Sequence, residues 1–217
     1  MTETHDLKER LAEAARYALL RRLAPAIRHN MAGALQPVTM IATMLEKRLQ
    51  KPSPDFAALA KNSNDINTLS REAAATCMDL MTWLAPKVAD KVPVSEGVAD
   101  SAGLLITELS FRGFTVVNET TEAQWLVPRS LLRSAFMAAL LALTDTSSPP
   151  ADVVITAAEE GDGLLLTLTL VKTDGEPTPN SMHSYRALQW PDVEALAAAE
   201  GAVLTRTDHR VELRFPG

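Results

Sequence analysis

Four of the 217 residues are histidines, and imidazole is the side chain best suited to hold a metal or accept a phosphoryl group near neutral pH. Three of the four have weak settings. His5 lies in the charged N-terminal stretch, His183 in the polar segment TPNSMHSYR, and His209 in a short turn, Thr207-Asp208-His209. No two histidines have metal-ligand spacing with a carboxylate on the same face, so neither a metal site nor a cofactor is expected. His29 is different. Ile27, Met31, Ala34, Val38, Ile41 and Leu45 recur at 4-3-4-3-4 spacing, the seam of a coiled coil or helix bundle. With Ile27 and Met31 at the d and a positions, His29 falls at f, furthest from any partner helix. An unperturbed imidazole titrates near pH ~6.5, so at pH 7 it is mostly neutral and able to attack phosphorus. The plain alternative is a helical histidine that does no more than face water. Arg28 and Asn30 flank it, as a phosphate neighbour and an orienting group if the ring is a nucleophile.

The elements that position His29 are legible in the same stretch. Before residue 90 the chain reads as helix, with one break at Gln50-Lys51-Pro52-Ser53-Pro54-Asp55, where two prolines cannot continue the helix. In the second helix Ile66, Leu69, Ala73, Thr76, Leu80 and Trp83 keep heptad spacing. So does a shifted set, Phe56, Leu59, Ser63, Ile66, Ser70, Ala73, Cys77, Leu80 and Leu84. Two helices cannot enclose a core. The remedy is a second copy of the hairpin, giving a homodimeric four-helix bundle, or packing against the C-terminal half. Residues 6–22 are also strongly helical and either extend the first helix or fold back at Pro25.

Past Pro93 the periodicity is mixed, which places a domain boundary near residue 90: a helical hairpin over 1–90 and a second domain over 91–217. Ser95 is positioned to cap a helix reaching about Phe111, and Arg112-Gly113 ends it before a strand at Phe114–Asn118. Pro128 suits the first turn of an apolar, buried helix, Arg129–Leu143. Strands at 152–157 and 164–171 flank the turn Glu160-Gly161-Asp162-Gly163. A helix at 191–199 leads through Glu200-Gly201 to strands at 202–205 and 210–215. The fold class is therefore α+β: a helical hairpin followed by an α/β sandwich with helices on one face of a mixed sheet.

Composition narrows the function. Lys and Arg number 21 against 27 Asp and Glu, a formal charge of −6, and no basic block exists to track a phosphate backbone, so no nucleic-acid partner is expected. The longest apolar run, Ala135–Leu143, is far shorter than the roughly 20 residues of a membrane-spanning helix, and the N-terminus lacks an apolar signal segment. The single cysteine, Cys77, fits a reducing compartment. These features together predict a cytoplasmic protein that does not engage a membrane.

The segment Arg28-His29-Asn30-Met31-Ala32-Gly33-Ala34-Leu35-Gln36-Pro37-Val38 resembles the phosphoacceptor box of bacterial sensor histidine kinases, in which an exposed histidine on the first helix of a dimeric hairpin precedes apolar residues and a proline. The element order of the second half is similar to the kinase ATPase domain, of the family shared with gyrase. Residues 131–140 sit where that family has its nucleotide-box helix. That helix normally supplies an Asn to magnesium, yet between Pro128 and Leu143 there is neither Asn nor acid. Asp174-Gly175 stands where the adenine-reading turn would be, or is merely a turn. Between Glu176 and Gly201 no glycine is available for a phosphate-cradling lid. Asn30 follows the histidine where kinases of this type usually carry Glu or Asp, and the proline comes eight residues after it, later than in the common box.

ATP-dependent phosphoryl transfer needs metal and donor clamps, and their loss removes orders of magnitude of rate. What the resemblance implies is a degenerate, non-ATP-binding second domain and a histidine phosphotransfer protein of a two-component phosphorelay. Such a protein exchanges a phosphoryl group between His29 and the aspartate of a response-regulator or hybrid-kinase receiver domain, and the receiver brings the magnesium. The competing expectations are a non-catalytic pseudo-kinase scaffold that binds a kinase or response regulator, and a kinase with an unrecognised nucleotide site. Receiver identity, direction of flow, and transfer within or between subunits are not encoded in any motif.

Overall fold

The computed structural model describes residues 2–84, 90–121, 123–161, 163–175 and 186–216. Two compact units emerge, Pro25–Ala85 and a larger one that joins Met1–Ala24 to Pro86–Gly217. His183 and residues 176–185 lie outside the described residues.

Helix α1 spans Thr2–Leu49 without a break and takes up both Pro25 and Pro37, so residues 6–22 extend the first helix rather than folding back. Each proline removes one backbone donor, which a helix of this length with favourable packing tolerates. After the Pro52-Pro54 turn, α2 covers Phe56–Leu84. The α1 seam residues Ile27, Met31, Ala34, Val38, Ile41 and Leu45 are half-buried, while most of their neighbours are exposed. On α2, Leu59, Asn62, Ala73, Leu80 and Trp83 are buried, with Ile66, Leu69 and Thr76 half-buried between them. Phe56, Ser63 and Ser70 of the shifted set are exposed, so the first of the two α2 patterns does the packing. Arg48 donates to the Asn62 side-chain oxygen at 3.0 Å near the turn.

The larger unit is a five-stranded mixed sheet with helices against it. Its strands are β2 (Phe114–Asn118), β4 (Ala151–Glu160), β5 (Gly163–Lys172), β6 (Val203–Arg206) and β7 (Arg210–Phe215), in the order β2-β4-β5-β7-β6. Only β2 and β4 run parallel. A separate two-stranded ribbon pairs β1 (Lys91–Pro93) with β3 (Leu126–Pro128). Strands of three residues carry too little alternation to be read from sequence, and neither was expected. The expected helix from Ser95 to Phe111 is two helices, α3 (Val94–Gly103) and α4 (Ile106–Phe111). The N-cap is Pro93, with no side-chain capping bond, so Ser95 lies inside the first turn. At the joint the Leu105 N–H bonds Ala102 O, three residues back, and the tightened turn ends α3.

Arg129–Asp145 is continuous helix of three parts: α5 (Arg129–Leu131), a π-helical turn (Leu132–Phe136) and α6 (Met137–Asp145). Every residue from Leu131 to Thr144 is buried. This helix and α7 (Trp190–Ala199) lie on the same face as the inward residues Val153, Ile155, Leu166, Leu168, Val211 and Leu213. Two glycines end helices as the sequence indicates: Gly113 (φ 83°) after α4 and Gly201 (φ 73°) after α7, each in the left-handed region that only glycine enters without strain. The N-terminal part of α1 belongs to this unit through Ala12, Ala15, Leu19 and Leu23, all buried. No helix among the described residues is long and apolar enough to cross a membrane.

Candidate functional site

Consecutive residues of an α-helix project about 100° apart, so a half-buried Ile27 and Met31 turn the residue between them outward. Arg28, His29 and Asn30 are all exposed on α1. The positions that share the His29 face, three and four residues away, are Pro25, Ala26, Ala32 and Gly33. None can reach over the imidazole, and a β-carbon added at Gly33 would meet nothing within 4 Å. Of these small residues Pro25, Ala32 and Gly33 are exposed beside the ring, while Ala26 is buried.

Among the described residues His29 has no hydrogen-bond or ion-pair partner, and neither Arg28 nor Asn30 is bonded to it. A carboxylate at i±3 or i±4 would fix the tautomer and act as a base, and the helix places none there. What remains is an exposed imidazole with no carboxylate three or four residues away on the helix. Arg28 supplies a nearby positive charge. Of the remaining histidines, His5 pairs with Glu9 at 3.2 Å on the exposed N-terminal turn of α1. His209 lines a groove of about 330 Å³ with Lys172, Trp190 and Arg206, whose guanidinium stacks 4.8 Å from the Trp190 ring centroid. No group of three His, Cys, Asp or Glu able to hold a metal occurs among the described residues.

In the larger unit the segment 131–140 is wholly buried helix, apolar except for Arg133 and Ser134. Ser130 and Ser134 donate to the Glu200 carboxylate at 2.7 and 3.1 Å. Arg129 meets Asp90 at 2.8 Å and Asp100 at 3.3 Å. Asp174 is exposed in a bend after β5. A β-carbon at Gly175 would lie 3.0 Å from Pro150 Cγ, so a proline ring rests against the turn. The expected lack of a phosphate-cradling lid between Glu176 and Gly201 falls in part on residues outside those described.

A feature the sequence did not single out is a buried ionic quartet. Arg22 on α1, 2% exposed, donates to Glu108 at 2.5 Å and to Asp145 at 3.3 and 3.4 Å. Arg112 meets Asp145 at 2.8 Å, donates to the Thr144 carbonyl at 2.9 Å and covers the Phe114 ring at 5.4 Å. Burial opposes the Arg22 charge, but its bond to Glu108 and the nearby Asp145 outweigh that, holding its pKa above the ordinary value. The only signal in the sequence was an arginine in step with the apolar Leu19 and Leu23.

No protein-family model matches the chain, and no curated protein matches it. Solved structures do. The Acinetobacter baumannii histidine kinase AdeS is similar over 83% of this chain and 96% of its own, at 14% identity and a TM-score of 0.47. The Erythrobacter litoralis EL346 blue-light activated histidine kinase is similar over 83% of this chain and 62% of its own, at 15% identity and a TM-score of 0.46. The histidine kinase ThkA, solved in complex with the response regulator TrrA, is similar over 98% of this chain and 66% of its own, at 12% identity and a TM-score of 0.45.

Proposed function

We propose that this chain is a histidine phosphotransfer protein of a two-component phosphorelay, working as a homodimer and exchanging a phosphoryl group between His29 and a receiver-domain aspartate without using ATP. The observation that carries the reading is the setting of His29: exposed, on a continuous helix, beside the small exposed residues Pro25, Ala32 and Gly33. A receiver domain needs such a setting, because its acidic pocket must close over the imidazole. In the transfer, a ring nitrogen lone pair attacks phosphorus and the P–N bond forms as the bond from phosphorus to the aspartate oxygen breaks. The carboxylate leaves with that electron pair, and the proton on the other ring nitrogen is released to water. Magnesium on the receiver offsets the charge on the transferring group. Arg28, the preceding residue on the helix, adds a positive charge that can attract phosphate, and Asn30 can hydrogen-bond but cannot take a proton.

Taking 1–90 as the carrier half and 91–217 as the second half, support for ATP-independence of the second half comes from the buried, mostly apolar 131–140 helix and from Pro150 against Gly175. Support for a dimer comes from Met40, Met44, Leu49, Phe56, Met78 and Met81, apolar side chains left exposed on the Pro25–Ala85 unit. The test is transfer of label from a phosphorylated receiver to the full chain. Label that is acid-labile, base-stable and lost in His29→Ala supports the reading, and His29→Ala accepting label at the wild-type rate overturns it.

One observation favours a second reading. Among the described residues no carboxylate or hydrogen bond orients His29, as would suit a scaffold that binds a kinase or response regulator without carrying phosphate. A His29→Gln protein that keeps full signalling in cells would select that reading.

A further inference from the structure

Strand β4 is ten residues long, but its neighbour β2 covers only half of it: Phe114–Asn118 pair with Ala151–Ile155. On the other side β5 pairs with the whole strand, from Ala151 to Glu160. The backbone direction of each β4 residue follows from two bonds. The Ala151 N–H reaches Gly113 O at 3.2 Å, and Ile155 O accepts the Glu119 N–H at 2.9 Å, both on the β2 side. Odd-numbered residues of β4 therefore aim their amide and carbonyl groups toward β2, and even-numbered ones toward β5. Beyond Ile155 no strand of the sheet continues on that side. The N–H and C=O of Ala157 and of Glu159 face an edge that no described backbone group bonds.

That edge opens onto a groove of about 620 Å³ lined mainly by Glu119, Gln124, Trp125, Ala157, Ala158 and Glu159, with Leu164 of β5 also at its wall. The small side chains of Ala157 and Ala158 leave the backbone accessible, and Trp125 offers a partly exposed aromatic wall. Among the described residues, two carboxylates and no basic side chain line the groove. Glu160, the next residue, is already held by Arg214 at 2.9 Å, so Glu119 and Glu159 are the acidic groups free to meet a ligand. Unpaired strand edges are normally shortened, bulged or covered, because they template pairing with another chain. Here the uncovered stretch, five residues that span roughly 17 Å, contributes Ala157, Ala158 and Glu159 to the groove wall.

We propose that the β4 edge at residues 156–160 is a docking site for an extended, basic segment of a partner protein, which adds as a sixth strand beside β4. Backbone bonds to Ala157 and Glu159 hold the segment. Its apolar side chains cover Ala157, Ala158 and Trp125, and its Lys or Arg side chains meet Glu119 and Glu159. The site does not depend on His29 and stands or falls separately from phosphotransfer.

The probe is the fluorescein-labelled peptide Arg-Val-Lys-Val-Arg-Val, titrated with the full chain and followed by anisotropy. Binding on the order of 10–100 µM is expected, as for a short added strand with few side-chain pockets. Methylating every backbone nitrogen of the peptide keeps its charge but removes its donors, and should weaken binding about tenfold or more. Ala157→Pro removes the outward N–H without touching the β4–β5 ladder, and should weaken binding while leaving the melting curve near that of the parent. The pair Glu119→Lys with Glu159→Lys should abolish it. Hydrogen exchange must slow at Ala157 and Glu159 when the peptide is saturating. Equal binding of the methylated peptide, protection elsewhere in the chain, or no binding at millimolar peptide overturns the proposal. So does protection of the edge by self-association of the chain without peptide.

Discussion

Arg22 is the residue whose removal should be felt most for its size. Its guanidinium is 2% exposed and closes a neutral quartet with Glu108, Asp145 and Arg112. Arg22→Ala leaves two buried or part-buried carboxylates facing one arginine. Breaking a buried pair by deleting one partner costs about 3–5 kcal/mol when nothing compensates. Compensation here is partial, since Arg112 still holds Asp145 at 2.8 Å and Glu108, with 22% of its side chain exposed, regains some water. The expected loss is therefore at the low end, about 3 kcal/mol, which corresponds to a fall of roughly 6–12 °C in Tm for a unit of this size. Thermal and urea unfolding followed by circular dichroism measure it. A double-mutant cycle with Glu108→Gln should give a coupling of about 1–2 kcal/mol, because the Arg22–Glu108 bond is the shortest of the set. Burial also predicts that the penalty survives a rise from about 0.1 to about 1 M salt, where a surface pair would be screened. A Tm change under about 2 °C, or a coupling near zero, would refute a stabilising role for the quartet.

Gly97 faces Leu132 Cδ1 at 2.3 Å and Val92 Cγ2 at 2.6 Å from where a β-carbon would stand, and both side chains are fully buried. Gly97→Ala should therefore destabilise by about 2 kcal/mol in urea unfolding, although alanine is the better helix former by about 1 kcal/mol. At the start of α7, Asp192 accepts bonds from Arg186 at 2.7 and 3.0 Å and from the Gln189 N–H at 2.8 Å, closing a capping box. Partial burial raises its pKa, but the Arg186 and Gln189 bonds outweigh that and set it below the ordinary aspartate value. The stabilisation is thus present above pH ~4 and lost as pH falls through the lower folded value. Asp192→Asn should cost about 1 kcal/mol at pH 7 and remove this part of the acid dependence, read from Tm between pH 3 and 7. Arg48→Ala removes the donor to Asn62, itself 5% exposed, and should lower the stability of the Pro25–Ala85 unit by about 1 kcal/mol. Hydrogen exchange of the α2 amides near Asn62 would report it.

The candidate nucleophile and the elements around it were legible because they depend on short-range pattern. The 4-3 spacing from Ile27 to Leu45 names the half-buried face of α1 and leaves His29 on the other, and no long-range contact is needed to say so. The same holds for β2, where Gly113 supplies the positive φ that ends α4 and Phe114–Asn118 follows as strand. The larger mixed sheet also followed from alternation in β4, β5 and β7, whose inward residues are the apolar ones.

Four things were settled only by the chain folding onto itself. The ribbon of β1 and β3 has three residues a strand and exists because Lys91–Pro93 meets Leu126–Pro128 across the 32 residues between them, a pairing no local period encodes. Whether residues 6–22 continue α1 past Pro25 turned on burial of Ala12, Ala15, Leu19 and Leu23 in the larger unit, since local propensity allowed either course. The Arg22 quartet and the bare β4 edge are likewise products of tertiary register: a buried charge is tolerable only where distant partners converge on it, and an edge is open only where a neighbouring strand stops short.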